Sequence, residues 1–153
     1  MSPVVRTTEE RIRDSLHRLE HDIDAWVATA DSAGRPYLIP LSFLWDGTDL
    51  WLSTAASSPT GRNLRDNGLL RLTLGLTRDV VLVEGTAEVL TADQLSTGLG
   101  DAFAAKTGFD PRRLSSPYFY FRVRPRLLQA WREENELAGR DLLRDGHWLA
   151  SRV

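Results

Sequence analysis

The sequence predicts a mostly β domain, an antiparallel barrel of six strands with flanking helices. Three observations predict it. Short runs rich in β-branched and aromatic residues follow one another closely. Hairpin-type turn signals such as "SAGRP" (32–36) and "DGTD" (46–49) separate them. The regular strand–helix alternation of parallel βαβ units is missing. The 153 residues suit one domain with a core of its own, and no repeat, low-complexity segment or linker interrupts them.

The elements follow in order. Thr7 and Glu10 have capping-box spacing, and Ile12, Leu16, Leu19 and Ile23 recur behind them at helical spacing, which predicts an amphipathic first helix. "AWVATAD" (25–31) is the first strand and "YLIPLSFLW" (37–45) the second. Pro40 lacks an N–H, so the second strand is expected at an edge or at a bulge. "LWLSTA" (50–55) is the third. "SSPTGRNLR" (57–65) opens a short helix that runs to about Asn67, with Gly68 as its left-handed stop. "LLRLTLGL" (69–76) and "DVVLVEGTAEVL" (79–90) are the fourth and fifth strands, Gly85 marking a bulge or a close backbone approach. Thr91 caps a helix expected over 91–106. "YFYFRVRPRLLQAW" (118–131) is the sixth strand, expected to break at Pro125. "RDGHWL" (144–149) is a turn between two short apolar pieces.

Composition excludes several chemistries. A net charge of -2 argues against non-specific nucleic-acid binding. The lack of cysteine removes disulfides, thiolate zinc sites, iron–sulfur clusters and a cysteine nucleophile. The polar N-terminal stretch does not read as a secretory signal, and no apolar run approaches the ~20 residues of a membrane span, so a cytoplasmic protein is expected.

Motifs narrow the choice further. "HRLEH" (17–21) matches the spacing of one zinc-peptidase class, but His17 and His21 fall on the polar side of the first helix, so no metal is expected. No G-x-S-x-G elbow and no P-loop occurs. Ser58 and Thr60, at a helix start, could hold a phosphate with the free N–H groups of the first turn, with Arg62 and Arg65 adding charge. The same residues also suit plain capping. Trp26, Trp45 and Trp51 are expected in the core or at an interface, and Trp131 packs at a rim or stacks on a planar ligand.

In this order, strand, D-x-x-G-x-P, strand, W-D-G, a strand ending in Ser-Thr, then S-x-x-x-R-N-L, residues 25–90 resemble the FMN-binding split-barrel superfamily. That superfamily includes the pyridoxamine 5'-phosphate oxidases and the actinobacterial flavin and deazaflavin oxidoreductases. "RPRLLQAW" (124–131) resembles the P-x-x-x-x-x-W stretch of the oxidases. The resemblance implies a six-stranded split barrel acting as a homodimer, with FMN or coenzyme F420 at the dimer interface and hydride transfer to or from a small planar substrate. Ile39, Pro40, Leu41 and Ser42 would run along the ring, and Ser53 and Thr54 would contact the ring or ribityl chain. Ser58, Thr60, Arg62 and Asn63 would surround the phosphate. Trp131 would approach the ring from the partner subunit. Ser42, Arg132 or a water would donate a proton. The chain departs from the oxidases at Pro59 and Thr60, where a basic pair is usual, at Ile39, where Arg is usual, and at "REENELAGR" (132–140) in place of the R-L-H-D-R signature. The vitamin B6 oxidase reaction is therefore not expected. A non-catalytic carrier, sensor or sequestration protein for a flavin or haem is the alternative.

Overall fold

Thr7 opens the first element. Its hydroxyl accepts from the Glu10 N–H and the Glu10 carboxylate accepts from the Thr7 N–H, both at 3.1 Å. This reciprocal cap starts helix α1 (Thr8–His21), which buries Ile12, Ser15 and Leu19. The structure is a computed structural model and describes residues 3–152. Ile23 lies past the helix end and is half exposed, because the chain has already turned into an extended C-cap at Asp22. His17 and His21 stack at 4.1 Å on the exposed face of α1, and no group of three or more potential ligands is found among the described residues.

Among the described residues, nine strands form one antiparallel sheet: β1 (Asp24–Ala30), β2 (Pro36–Ser42), β3 (Leu44–Trp45), β4 (Leu50–Ala55), β5 (Leu69–Leu74), β6 (Val80–Leu90), β7 (Tyr118–Trp131), β8 (Asp141–Arg144) and β9 (His147–Trp148). The path runs β2-β1-β5-β6-β7-β4-β3, with β8 and β9 attached through β7. β2 stands at one end of this path and β3 at the other, yet only Phe43 separates them in the chain. The sheet must therefore curl until its ends meet. This is the split-barrel architecture, with more strands than expected. The run 37–45 divides at Phe43, and "RDGHWL" forms a true hairpin, β8–β9, around Asp145 (φ 53°) and Gly146 (φ 79°).

Alternation fills the barrel. Val27, Leu52, Leu70, Leu72, Leu74, Val81, Val83, Phe121 and Val123 point inward and are buried. Pro40 sits on edge strand β2, paired with Trp26, so its missing N–H breaks no ladder. Pro125 does not interrupt β7. The register slips between Glu84 and Gly85, leaving Arg126 as an extra residue, and the strand runs on through the bulge. A Cβ on Gly85 would lie 2.8 Å from the Arg124 carbonyl oxygen, so the close approach expected there is real.

Two helices cover the outside. Helix α2 (Pro59–Asn67) ends at left-handed Gly68 (φ 67°). Helix α3 (Thr97–Thr107) is capped by Ser96, not by Thr91. Thr91 instead starts a separate 3-10 turn (Ala92–Gln94), because Leu95 leaves the helical region before α3 begins. At the far end of β7 the Glu136 carboxylate, almost fully buried, accepts from the Arg6 side chain and backbone N–H and from the Arg132 N–H.

Candidate functional site

β2 and β4 do not hydrogen-bond where the sheet ends meet, and a cavity of about 370 Å³ opens there. Pro40, Leu41 and Ser42 come from the end of β2, and Ser53 and Thr54 from the end of β4. Asp24 adds the start of β1 and Tyr118 the start of β7. Phe103 of α3 and Phe109, just beyond it, close the remaining side. The result is a slot with aliphatic and proline surface on one wall and aromatic rings on the other. Phe109 and Tyr118 meet at 5.6 Å between ring centres.

The polar groups are fixed. Ser53 Oγ donates to the Phe119 carbonyl at 2.9 Å, and Ser42 Oγ donates to Asp24 Oδ1. Asp24 is the only charged side chain among the described residues lining the slot. Lys106 Nζ donates to the carbonyls of Asp22 (2.7 Å) and Phe43 (3.3 Å) and sits 4.5 Å from the Phe43 ring centre. It pins α3, and with it Phe103, to the corner where β1 begins and β2 ends. Burial lowers its pKa, partly offset by Asp22. Behind the aromatic wall, Tyr120 is buried with its hydroxyl unpartnered, and desolvation raises the phenol pKa.

The first turn of α2 lies directly against the slot. Ser58 Oγ accepts from the Gly61 N–H and donates to the Ala55 carbonyl, both at 2.9 Å. Its proton being committed, Thr54 Oγ1 is the donor in their 3.1 Å contact. Ser58 is thus a helix cap and also joins α2 to the slot. Arg62 is exposed and donates to the Ser57 carbonyl at 2.7 Å. Arg65 also turns back over this start, donating to the Ala56 carbonyl with its guanidinium 5.4 Å from the Phe119 ring centre.

The eleven residues singled out in the sequence do not all converge. Pro40, Leu41, Ser42, Ser53 and Thr54 line the slot and Ser58 bonds to it. Ile39 pairs with fully buried Val27 and so faces the barrel interior. Thr60 is 0% exposed with its hydroxyl unpartnered, and Asn63 donates to Thr29 Oγ1 at 3.1 Å, so both lie on the buried side of α2. Trp131 ends the 14-residue strand β7 that Tyr118 begins, far from the slot of its own chain, with Arg140 over its ring at 5.5 Å. Arg132 beside it is held by Asp79. Asp24, Phe103, Phe109 and Tyr118 were missed. The aromatics flanking left-handed Gly108 in "FAAKTGF" were the available signal.

A barrel split at this point, with a helix start against the gap, defines the split-barrel class of β proteins. The chain belongs to the pyridoxamine 5'-phosphate oxidase family, whose model matches residues 11–132. Solved structures agree on the fold. An F420 reductase shares 18% identity at a TM-score of 0.59, over 73% of this chain and 93% of that one. A FAD-binding protein from Mesorhizobium loti shares 18% at 0.62, over 75% and 87%. A protein of unknown function from Agrobacterium tumefaciens shares 19% at 0.69, over 92% and 65%. No curated protein matches the sequence. No helix among the described residues is long and apolar enough to cross a membrane.

Proposed function

We propose that this chain is a flavin- or F420-dependent oxidoreductase that moves a hydride between the cofactor ring and a small planar substrate. The observation that carries this is the slot, where five of the residues that the resemblance assigned to a flavin lie around one cavity. The residues fit such a group. The flat walls suit a fused ring, and the Thr54–Ser58 hydroxyl pair leads to the start of α2, where Arg62 can turn toward a phosphate. When bound, the ring supplies the hydride chemistry.

The protein's own residues bind, orient and exclude water. Pro40 and Leu41 support one face of the ring. Phe103, Phe109 and Tyr118 exclude water from the other side while leaving room for a flat substrate. Asp24, oriented by Ser42, accepts a hydrogen bond from a ring or substrate N–H, and Ser42 is the hydroxyl placed to relay a proton. Arg132, tied to Asp79, lies outside this set.

The reading includes a homodimer. Trp26, Leu38 and Leu69 are 52, 59 and 60% exposed. The register puts Trp26, Leu38, Pro40, Leu69 and Arg71 on one outer face of β1, β2 and β5, continuous through Pro40 with the slot wall. A second copy on this face would cover the patch and could bring its Trp131 to the ring. The cofactor-loaded protein is expected to be a dimer by light scattering and to reduce a quinone with NADPH or F420H2. A monomer, or a loaded dimer inert with both reductants, contradicts this reading. The inert dimer would favour carriage or sequestration, for which the self-capped α2 start without a basic pair is the supporting observation.

A further inference from the structure

We propose that the groove between the β7 bulge and the β8–β9 hairpin is a second ligand site, one that takes a small polyanion bearing phosphate. The groove encloses about 400 Å³ at the end of β4 opposite the slot, so the proposal stands apart from the flavin reading. It accounts for "RVRPR" (122–126), which nothing at the slot uses.

Arg122 and Arg124 follow each other on the outer face of β7. The same alternation puts Arg126, the extra residue of the bulge, outward too, while Pro125 stays buried. Consecutive outward residues of a strand lie about 7 Å apart, so three guanidinium groups in a row repel unless balanced. Arg122 is balanced, its Nε donating to Asp49 Oδ2 at 2.7 Å with Glu88 opposite it in the ladder. Arg124 faces Thr86 across the ladder, and Glu84, the next acid along β6, is held by Arg71. No carboxylate among the described residues pairs with Arg124 or Arg126.

The hairpin supplies the other wall. Arg152 lies 5.4 Å over the Trp148 ring and donates to the Gly47 carbonyl at 2.9 Å, so it is held at the groove. Among the described residues, Asp145 is the one lining acid that no arginine engages, since Asp49 is bound to Arg122. Three arginines face that single free carboxylate, and Thr48 and Thr86 add hydroxyls. Guanidinium forks match phosphate oxygens bidentately, and the Trp148 face offers a flat surface to an attached organic group.

Inorganic pyrophosphate is the probe, titrated calorimetrically at low salt, with melting followed in parallel. Saturable binding is expected, together with a pyrophosphate-dependent rise in Tm. The Arg124→Ala/Arg126→Ala protein is expected to bind at least ~10-fold more weakly and to lose that rise while melting no lower than wild type without ligand. Arg13→Ala, on the exposed face of α1, should leave binding unchanged. Absence of saturable binding overturns the proposal. So does binding that survives the double replacement, or that is lost equally in Arg13→Ala. Loss in Arg62→Ala alone would place the anion at α2 and overturn it as well.

Discussion

Replacing Glu136 with glutamine is expected to destabilise the fold by about 3–5 kcal/mol at neutral pH. Glu136 is 2% exposed and holds three parts of the chain together. Its carboxylate accepts from the Arg6 guanidinium (2.9 and 3.1 Å), from the Arg6 backbone N–H (2.9 Å) and from the Arg132 N–H (2.8 Å). Buried Arg11 lies 3.8 Å away and bonds the carbonyls of Ala130 and Glu136. A glutamine would leave buried Arg11 without its nearby counter-charge and Arg6 with Asp14 alone, and that desolvation is the dominant loss.

The same carboxylate predicts an acid transition. The Arg6 hydrogen bonds and charge hold its pKa at about 2, against an ordinary 4.5. A depressed folded pKa contributes stability that is fully present above the unfolded value and is lost as the pH falls from about 4.5 toward 2. The contribution is about 3 kcal/mol at 1.36 kcal/mol per unit. Urea unfolding at pH 7 and pH 3 checks this. Wild type should lose about 2 kcal/mol of its advantage over Glu136→Gln at the lower pH, and an equal gap at both would remove Glu136 from the account of acid stability.

Gly61→Ala is expected to have the largest effect on the site. An added Cβ would collide with the Ala55 carbonyl oxygen and come within 3.1 Å of Ser58 Oγ. Both neighbours matter, since Ala55 ends β4 and accepts the Ser58 hydroxyl, and Ser58 receives the Gly61 N–H. The first contact is with a backbone oxygen, so no side chain can swing aside. The start of α2 must lift from β4, and the Thr54–Ser58 bond goes with it. We expect a stability loss of about 2 kcal/mol and a fall in FMN or F420 affinity of at least ~10-fold. Fluorescence titration of the ligand into the refolded variant measures it, and unchanged affinity would detach α2 from cofactor binding.

Local chemistry made most of the barrel legible. The capping box of α1, the Gly68 stop, the "DG" turns and the edge position of Pro40 each follow from one residue's geometry. The misses were of a different kind. Pro125 sits inside β7 because a bulge, set by Gly85 on the neighbouring strand, absorbs it, and one strand's sequence does not show its partner's slip. Thr91 and Ser96 are equally good caps on paper, and the packing of Leu95 beside Phe103 accompanies the choice of Ser96. At the site, the resemblance located the β2 and β4 walls. It could not tell which α2 residues face inward, so Thr60 and Asn63 were grouped with Ser58 although they point into the protein. The aromatic wall was missed because Phe103, Phe109 and Tyr118 reach the slot only through tertiary packing.

The most direct test is a titration of purified, ligand-free protein with FMN and with F420, followed by visible absorbance and tryptophan fluorescence. Saturable binding of one of them, with a shifted ring absorbance and weakening in Gly61→Ala, is the expected result. A protein that binds neither ligand would contradict the assignment of the split between β2 and β4 as a flavin site.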